Sequence, residues 1–164
     1  MEELPRIEAV AAEGPSTLRI RWRGKRSFES VNLIGWIVTG GDILAPLRDP
    51  KVFARADVSA HGTAIAWDND DLAIDALHLK RLADEQKPFD NKAVRNWQAT
   101  VKLSNNEAAD LLDVSVSTWN TYKADATVPH CVAMVMRASL RDPLLMQAHL
   151  RPRATGRPRK NAAN

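Results

Sequence analysis

Residues 103–123 read LSNNEAADLLDVSVSTWNTYK, and their spacing encodes two helices joined at a tight corner. Ser104 suits an N-cap, and Glu107, three positions on, can reach back to it in an S-x-x-E capping box. Ala108, Leu111 and Leu112 then share an apolar face, and Ala109 is small enough for another helix to approach closely. Asp113 marks the break, with Val114 as the apolar plug of the turn. Ser115 caps a second helix whose inward stripe is Trp119 and Tyr122. That stripe leaves Val116, Ser117, Asn120, Thr121 and Lys123 pointing outward. A short exposed helix of small polar residues is what entry into the major groove of DNA requires. The same cap and stripe also occur in ordinary helical hairpins, so the register of the whole stretch has to decide.

That register resembles, without a gap, the helix-turn-helix of phage-repressor-type (lambda-like) proteins. It runs polar cap, Glu, Ala-Ala, Leu, turn, Val-Ser, a large apolar residue and an aromatic three further on, with Pro129 ahead of another apolar helix. One position departs: the turn residue, usually Gly, is Asp113, which tolerates left-handed backbone better than most. The resemblance implies an all-helical DNA-binding domain. In its register Val116, Ser117 and Thr121 meet base edges, while Asn120 and Lys123 lie near the groove wall or backbone. Ser104, Asn105 and Asn106 would hold phosphate through backbone amides at a helix start.

Charge is distributed accordingly. The chain carries a net +3, but residues 1–85 hold 11 Lys+Arg against 14 Asp+Glu, and residues 86–164 hold 12 against 6. The basic half is the one containing the motif, where phosphate attraction would act. Its last stretch interleaves Arg151, Arg153, Arg157, Arg159 and Lys160 with Pro152, Gly156 and Pro158. With no apolar run it builds no core and is expected to be disordered in the free protein. Gly156-Arg157-Pro158-Arg159-Lys160 is similar to an AT-hook core, which fits a narrow A·T minor groove, except that Thr155 stands where a full hook has a basic residue. A plain basic tail that only adds charge is the preferred reading. Under both, Arg157 and Arg159 strengthen DNA binding.

Composition sets the outer bounds. With 164 residues, 45% of them hydrophobic, the chain can bury one ordinary core or two small ones. It has no apolar run long enough to span a membrane, and its acidic start, Glu2-Glu3, does not read as a secretion signal. A lone cysteine, Cys131, excludes an internal disulfide and fits a reducing cytoplasm. No internal repeat is visible.

A boundary is expected at Asp84-Glu85-Gln86-Lys87-Pro88. Before it the pattern reads as strands. Ile7 to Ala11 is one; Leu18, Ile20 and Trp22 alternate with Arg19, Arg21 and Arg23 in another. Gly24-Lys25 is a hairpin turn, and Phe28 to Val31 returns antiparallel. Ile34 to Val38 is an apolar segment ending at Gly40-Gly41. A short helical turn opens at Leu47-Arg48-Asp49-Pro50 and runs through Phe53. Val58 and Thr63 to Trp67 read as late strands around His61-Gly62, and Asp70 to Leu77 follows with Leu72, Ile74 and Leu77. Beyond the boundary, Val94, Trp97 and Val101, then Val132, Met136 and Leu140, fall at helical spacing.

The first part also resembles a small bacterial domain of unknown function over roughly residues 5–80. The marks are the Leu47, Pro50, Phe53 segment, a Gly62, Ile65, Trp67 strand, and a closing Asp71-Leu72, Asp75, Leu77. Members of that family stand alone, beside toxin-like small proteins, or fused to a helix-turn-helix. The resemblance implies a fold and a gene neighbourhood, and no activity.

Other chemistry is poorly represented. Asp68, Asn69, Asp70, Asp71 and Asp75 lack the ligand spacing, central Gly and terminal Glu of an EF-hand loop, and read as a polar turn rather than a metal site. His130 and Cys131 are adjacent, a poor geometry for a nucleophile and its base, and Cys131 is expected in the core. His61, His78 and His149 are scattered. Arg19, Arg21, Arg23, Lys25 and Arg26 form a basic strand edge, read as a solvated sheet face in preference to a second nucleic-acid surface.

The expectation is therefore an α+β fold: a small mixed or antiparallel sheet domain over 1–85, a helix-turn-helix domain over 86–150 and a basic tail over 151–164. The chain is expected to be a cytoplasmic bacterial DNA-binding regulator, not an enzyme, without cofactor or metal, acting as a homodimer on double-stranded DNA. Dimerisation is assigned to the first domain, through its open sheet edges and Ile34 to Val38. The competing reading is an antitoxin-like protein whose first domain grips a small toxin-like partner while DNA binding autoregulates its operon.

Overall fold

Strict alternation over residues 17–22 puts Leu18, Ile20 and Trp22 on one face of a strand, and the structure buries that face. The computed structural model describes residues 4–68 and 72–152. The fold is α+β, and the chain divides into two compact units, Met1–Lys87 and Pro88–Asn164. Among the described residues, no helix is long and apolar enough to cross a membrane.

The first unit begins with an antiparallel sheet in the order β1 (Ile7–Ala12), β2 (Thr17–Trp22), β3 (Glu29–Asn32). Register pairs Val10 with Ile20 and Leu18 with Val31. Arg19 and Arg21 lie on the outer face, where both guanidinium groups stack on the Phe28 ring and Arg21 pairs with Glu8 at 3.2 Å. The Gln86 side-chain amide pairs with the Asn32 backbone as a strand would, donating to its carbonyl at 2.7 Å and accepting from its N–H at 2.8 Å. That contact satisfies backbone groups a β3 edge would otherwise present unpaired.

Residues 34–38, read from sequence only as an apolar segment, form a helix, α1 (Ile34–Thr39). Asn32 Oδ1 accepts from the Ile34 N–H at 2.9 Å, which starts the turn, and only Ile37 of α1 is buried. Ile34 and Val38 stay exposed. The short α2 (Gly41–Leu44), a 3-10 turn over Ala45–Arg48 and α3 (Pro50–Phe53) follow. Asp49 caps α3 through the Lys51 N–H, and Pro50 stands at its first position, where a missing N–H costs nothing.

A second antiparallel sheet runs β4 (Asp57–Val58), β5 (Ala64–Trp67), β6 (Leu72–Asp75). The turn before β5 passes close to β1: a Cβ on Gly62 would sit 2.2 Å from the Ile7 carbonyl oxygen, and φ there is +72°. Trp67 is fully buried, donates Nε1–H to the Phe53 carbonyl at 2.9 Å, and stacks near Trp36. Asp75 then caps α4 (Ala76–Gln86), accepting from the His78 N–H at 2.8 Å. Residues 84–86, expected as a boundary segment, are the last turn of this helix. It buries Ala76, Leu79 and Ala83.

The second unit is helical throughout its described length: α5 (Asn91–Val101), α6 (Asn105–Leu111), α7 (Val116–Ala124), α8 (His130–Arg141) and α9 (Pro143–His149). Its core is built on Val94, Trp97, Ala108, Ala109, Trp119 and Met136. Two expectations for α8 are corrected. The buried positions are Ala133, Met136 and Ser139, so Cys131 is exposed on the far side and Leu140 is 47% exposed. Ser139 can hold a core position because its hydroxyl donates to the Met136 carbonyl and accepts from Trp97 Nε1, at 2.7 and 2.8 Å.

Candidate nucleic-acid interface

The corner between α6 and α7 forms from local chemistry. Ser104 caps α6, accepting from the Glu107 N–H at 3.2 Å, and Glu107 Oε2 accepts from the Ser104 N–H at 2.8 Å. The Ser104 backbone N–H first, and the Ser104 hydroxyl second, hold the Glu107 carboxyl below its ordinary pKa. Helix geometry leaves the Asn105 and Asn106 amides without an intrahelical acceptor. At the corner Asp113 adopts φ +53°, the left-handed region in which glycine is at ease. The Val114 N–H donates to the Ala109 carbonyl at 3.0 Å, closing the turn, and Ser115 caps α7 through the Thr118 N–H at 3.0 Å.

Trp119 and Tyr122 anchor α7 in the core. Trp119 is fully buried and meets Trp97 edge to face, with centroids 5.7 Å apart at 69°, a geometry worth about 0.5–1.5 kcal/mol beyond the area it covers. The opposite face carries Val116, Ser117, Asn120 and Thr121, all exposed. Thr121 donates its hydroxyl proton to the Thr118 carbonyl at 2.7 Å, so its oxygen lone pairs and methyl face outward. Lys123, expected beside the groove wall, is half-buried. Its ammonium donates to Asn105 Oδ1 at 2.6 Å and lies over the Trp119 ring.

Asn105 is thus occupied in a way its sequence position did not suggest. Its carboxamide oxygen accepts from Gln98 Nε2 at 2.9 Å, Trp119 Nε1 at 3.2 Å and Lys123 Nζ. One atom therefore ties α5 and α7 to the start of α6.

Three α5 side chains that the sequence reading passed over complete this framework. Asn91 Nδ2 donates to the carbonyls of Tyr122 and Ala126, at 2.7 and 2.8 Å. Arg95 donates to the Lys123 carbonyl, and Gln98 to the Leu103 carbonyl at 3.1 Å. The first two satisfy carbonyls at and just beyond the end of α7, where the helix has no donors of its own. The available signal was the i, i+4, i+7 polar row Asn91, Arg95, Gln98 beside the apolar row Val94, Trp97, Val101.

The structure therefore brings Ser104, Asn105, Asn106 and the outer face of α7 together around one corner. Arg157 and Arg159 lie outside the described residues. So do Asn69, Asp70 and Asp71; among the described residues no group of three or more His, Cys, Asp or Glu could hold a metal ion. Residues 88–152 hold seven Lys+Arg against six Asp+Glu, so the helical unit is near neutral over that span, and the excess of the second half belongs chiefly to residues 153–160.

No protein-family model matches the chain, and no curated protein does, so the two resemblances rest on their motifs. A solved structure similar to this chain is that of a candidate DNA-binding protein from Nitrosomonas europaea, 23% identical, covering 99% of this chain and 100% of the other at a TM-score of 0.46. A likeness at that level carries no argument for function.

Proposed function

We propose that this chain is a cytoplasmic, sequence-specific DNA-binding protein, a transcriptional regulator and not an enzyme, that reads the major groove with α7. The observation that supports this best is the exposed, small-residue face of a helix braced from behind by buried Trp119 and by Asn105. Rigid support of a narrow polar face suits groove reading, because base contacts need side chains held in register. Val116, Ser117 and Thr121 are assigned to base edges, and Asn120 and Lys123 to the groove wall or backbone. The Asn105 and Asn106 amides beside Ser104 are assigned to phosphate. For Lys123 to reach a phosphate it must leave Asn105, so its contribution is smaller than that of an unengaged lysine. Arg157 and Arg159 add non-specific affinity. One such module buries little surface, so the functional form is a homodimer on a two-fold symmetric site.

The test is selection from a random-sequence DNA pool across salt, with the full chain and with one ending at Leu150. Enrichment of one symmetric site by both forms is the expected result, with a shallower salt slope for the shorter form. Loss of all binding with the tail, and no enriched sequence, overturns the proposal.

A further inference from the structure

A cavity of about 690 Å³ opens in the first unit beside the turn between β2 and β3, a size that holds small organic ligands. Part of its wall is aromatic, from the largely buried Trp22 and from Phe28. Trp22 Nε1–H donates to Glu29 Oε2 at 2.7 Å, which fixes the indole plane. Among the described residues, five cations line the cavity, Arg6, Arg23, Lys25, Lys80 and Lys87, against the single carboxylate of Glu29.

That carboxylate is already committed. Besides the indole, Lys80 and Lys87 lie 3.6 and 3.5 Å from its oxygens. Asp84, which does not line the cavity, pairs with the same two ammonium groups. Among the described residues, setting both acids against the five cations leaves an excess of three positive charges around an aromatic wall. The Arg23 guanidinium, among the described residues, reaches only a neutral acceptor, the His61 carbonyl, at 3.3 Å. Arg6 and Lys25 have no ion-pair partner among the described residues. Like charge concentrated along an apolar wall focuses the field and draws anions to it.

We propose that this cavity binds a small organic carboxylate whose flat apolar body lies against Trp22 and Phe28 and whose anionic group is held by Arg6 and Lys25. Lys80, 5.7 Å from the Trp22 ring centroid, and Lys87 supply the longer-range attraction. The site lies wholly within the first unit and does not depend on the DNA reading, so either can fail without the other.

The test titrates the ¹⁵N-labelled full chain with 2-naphthoate and follows the indole N–H signals of its five tryptophans. Saturable movement of the Trp22 signal is expected, with Trp36, Trp67, Trp97 and Trp119 stationary and with a much weaker response to neutral 2-naphthamide. R6E/K25E weakens naphthoate binding by about tenfold or more; should the double variant lose stability, K25E at an exposed turn gives the same comparison. A stationary Trp22 signal at millimolar naphthoate, an equal response to the amide, or undiminished affinity in the charge-reversed protein overturns the proposal.

Discussion

Replacing Asn105 with alanine removes one oxygen that serves three donors, and the three losses are unequal. Gln98 keeps its second acceptor, the Leu103 carbonyl at 3.1 Å. The Lys123 ammonium is partly exposed and can turn to water, and such pairs contribute at most about 1 kcal/mol. Trp119 is the decisive case: its side chain is fully buried, and its indole N–H is left without the acceptor 3.2 Å away. A stranded buried donor costs about 1–3 kcal/mol, so the total for Asn105→Ala is about 2 kcal/mol. For a unit of this size that is a fall of roughly 10 °C in Tm. Asn105→Asp keeps the acceptor oxygens, adds attraction to Lys123 and places an acid at the first position of α6, where helix dipoles favour it; its loss is about 0.5 kcal/mol or less. Urea unfolding followed at the Trp97 and Trp119 indole signals reads the second unit alone. An Asn105→Ala loss below about 0.5 kcal/mol, or an aspartate variant as unstable as the alanine one, would refute the hub role.

Three further outcomes follow from single positions. The Glu107 carboxyl titrates below the ordinary glutamate value of 4.5 because of its bonds to Ser104; its contribution to the α6 cap is full above the unfolded pKa and is lost as pH falls through the folded one, and an NMR midpoint at or above 4.5 contradicts this. Gly62→Ala drives a Cβ against the Ile7 carbonyl at positive φ, and costs on the order of 3 kcal/mol or more; urea unfolding read at the Trp22 and Trp67 indoles checks it, and an unchanged transition contradicts it. Asp113→Gly relieves left-handed backbone at φ +53° and raises the stability of the second unit by about 0.5–1 kcal/mol; a destabilised variant in the same urea assay means the Asp113 side chain matters more than its backbone.

The parts of this molecule that were legible in sequence are those whose chemistry is local. The capping box at Ser104 and Glu107, the Ser115 cap and the inward pair Trp119 and Tyr122 are all decided within four residues, and each stands where its spacing put it. The alternation at Leu18, Ile20 and Trp22 is equally local. Illegible were elements whose state is set from a distance or by a competing cap. The β-branched and aromatic residues of 34–38 suit a strand, but the Asn32 side chain starts a helix there. In α4, alternation in β6 runs without a break into Ala76, and only the Asp75 cap marks the change. Cys131 looked apolar in context, but the face of α8 is set by packing of Ala133, Met136 and Ser139. The role of Asn105 depends on donors 7, 14 and 18 positions away, a spacing that no local pattern encodes.

The central claim is that the outer face of α7 carries sequence recognition. It is tested most directly by repeating the random-pool selection with S117A/N120A/T121A, three exposed positions whose replacement leaves the Trp119 and Tyr122 anchor intact. Wild type is expected to enrich one two-fold symmetric site, and the triple variant, with its urea unfolding unchanged, to bind DNA weakly and enrich none, since each lost base contact costs about 1–3 kcal/mol. A folded triple variant that enriches the same site with undiminished affinity contradicts the account.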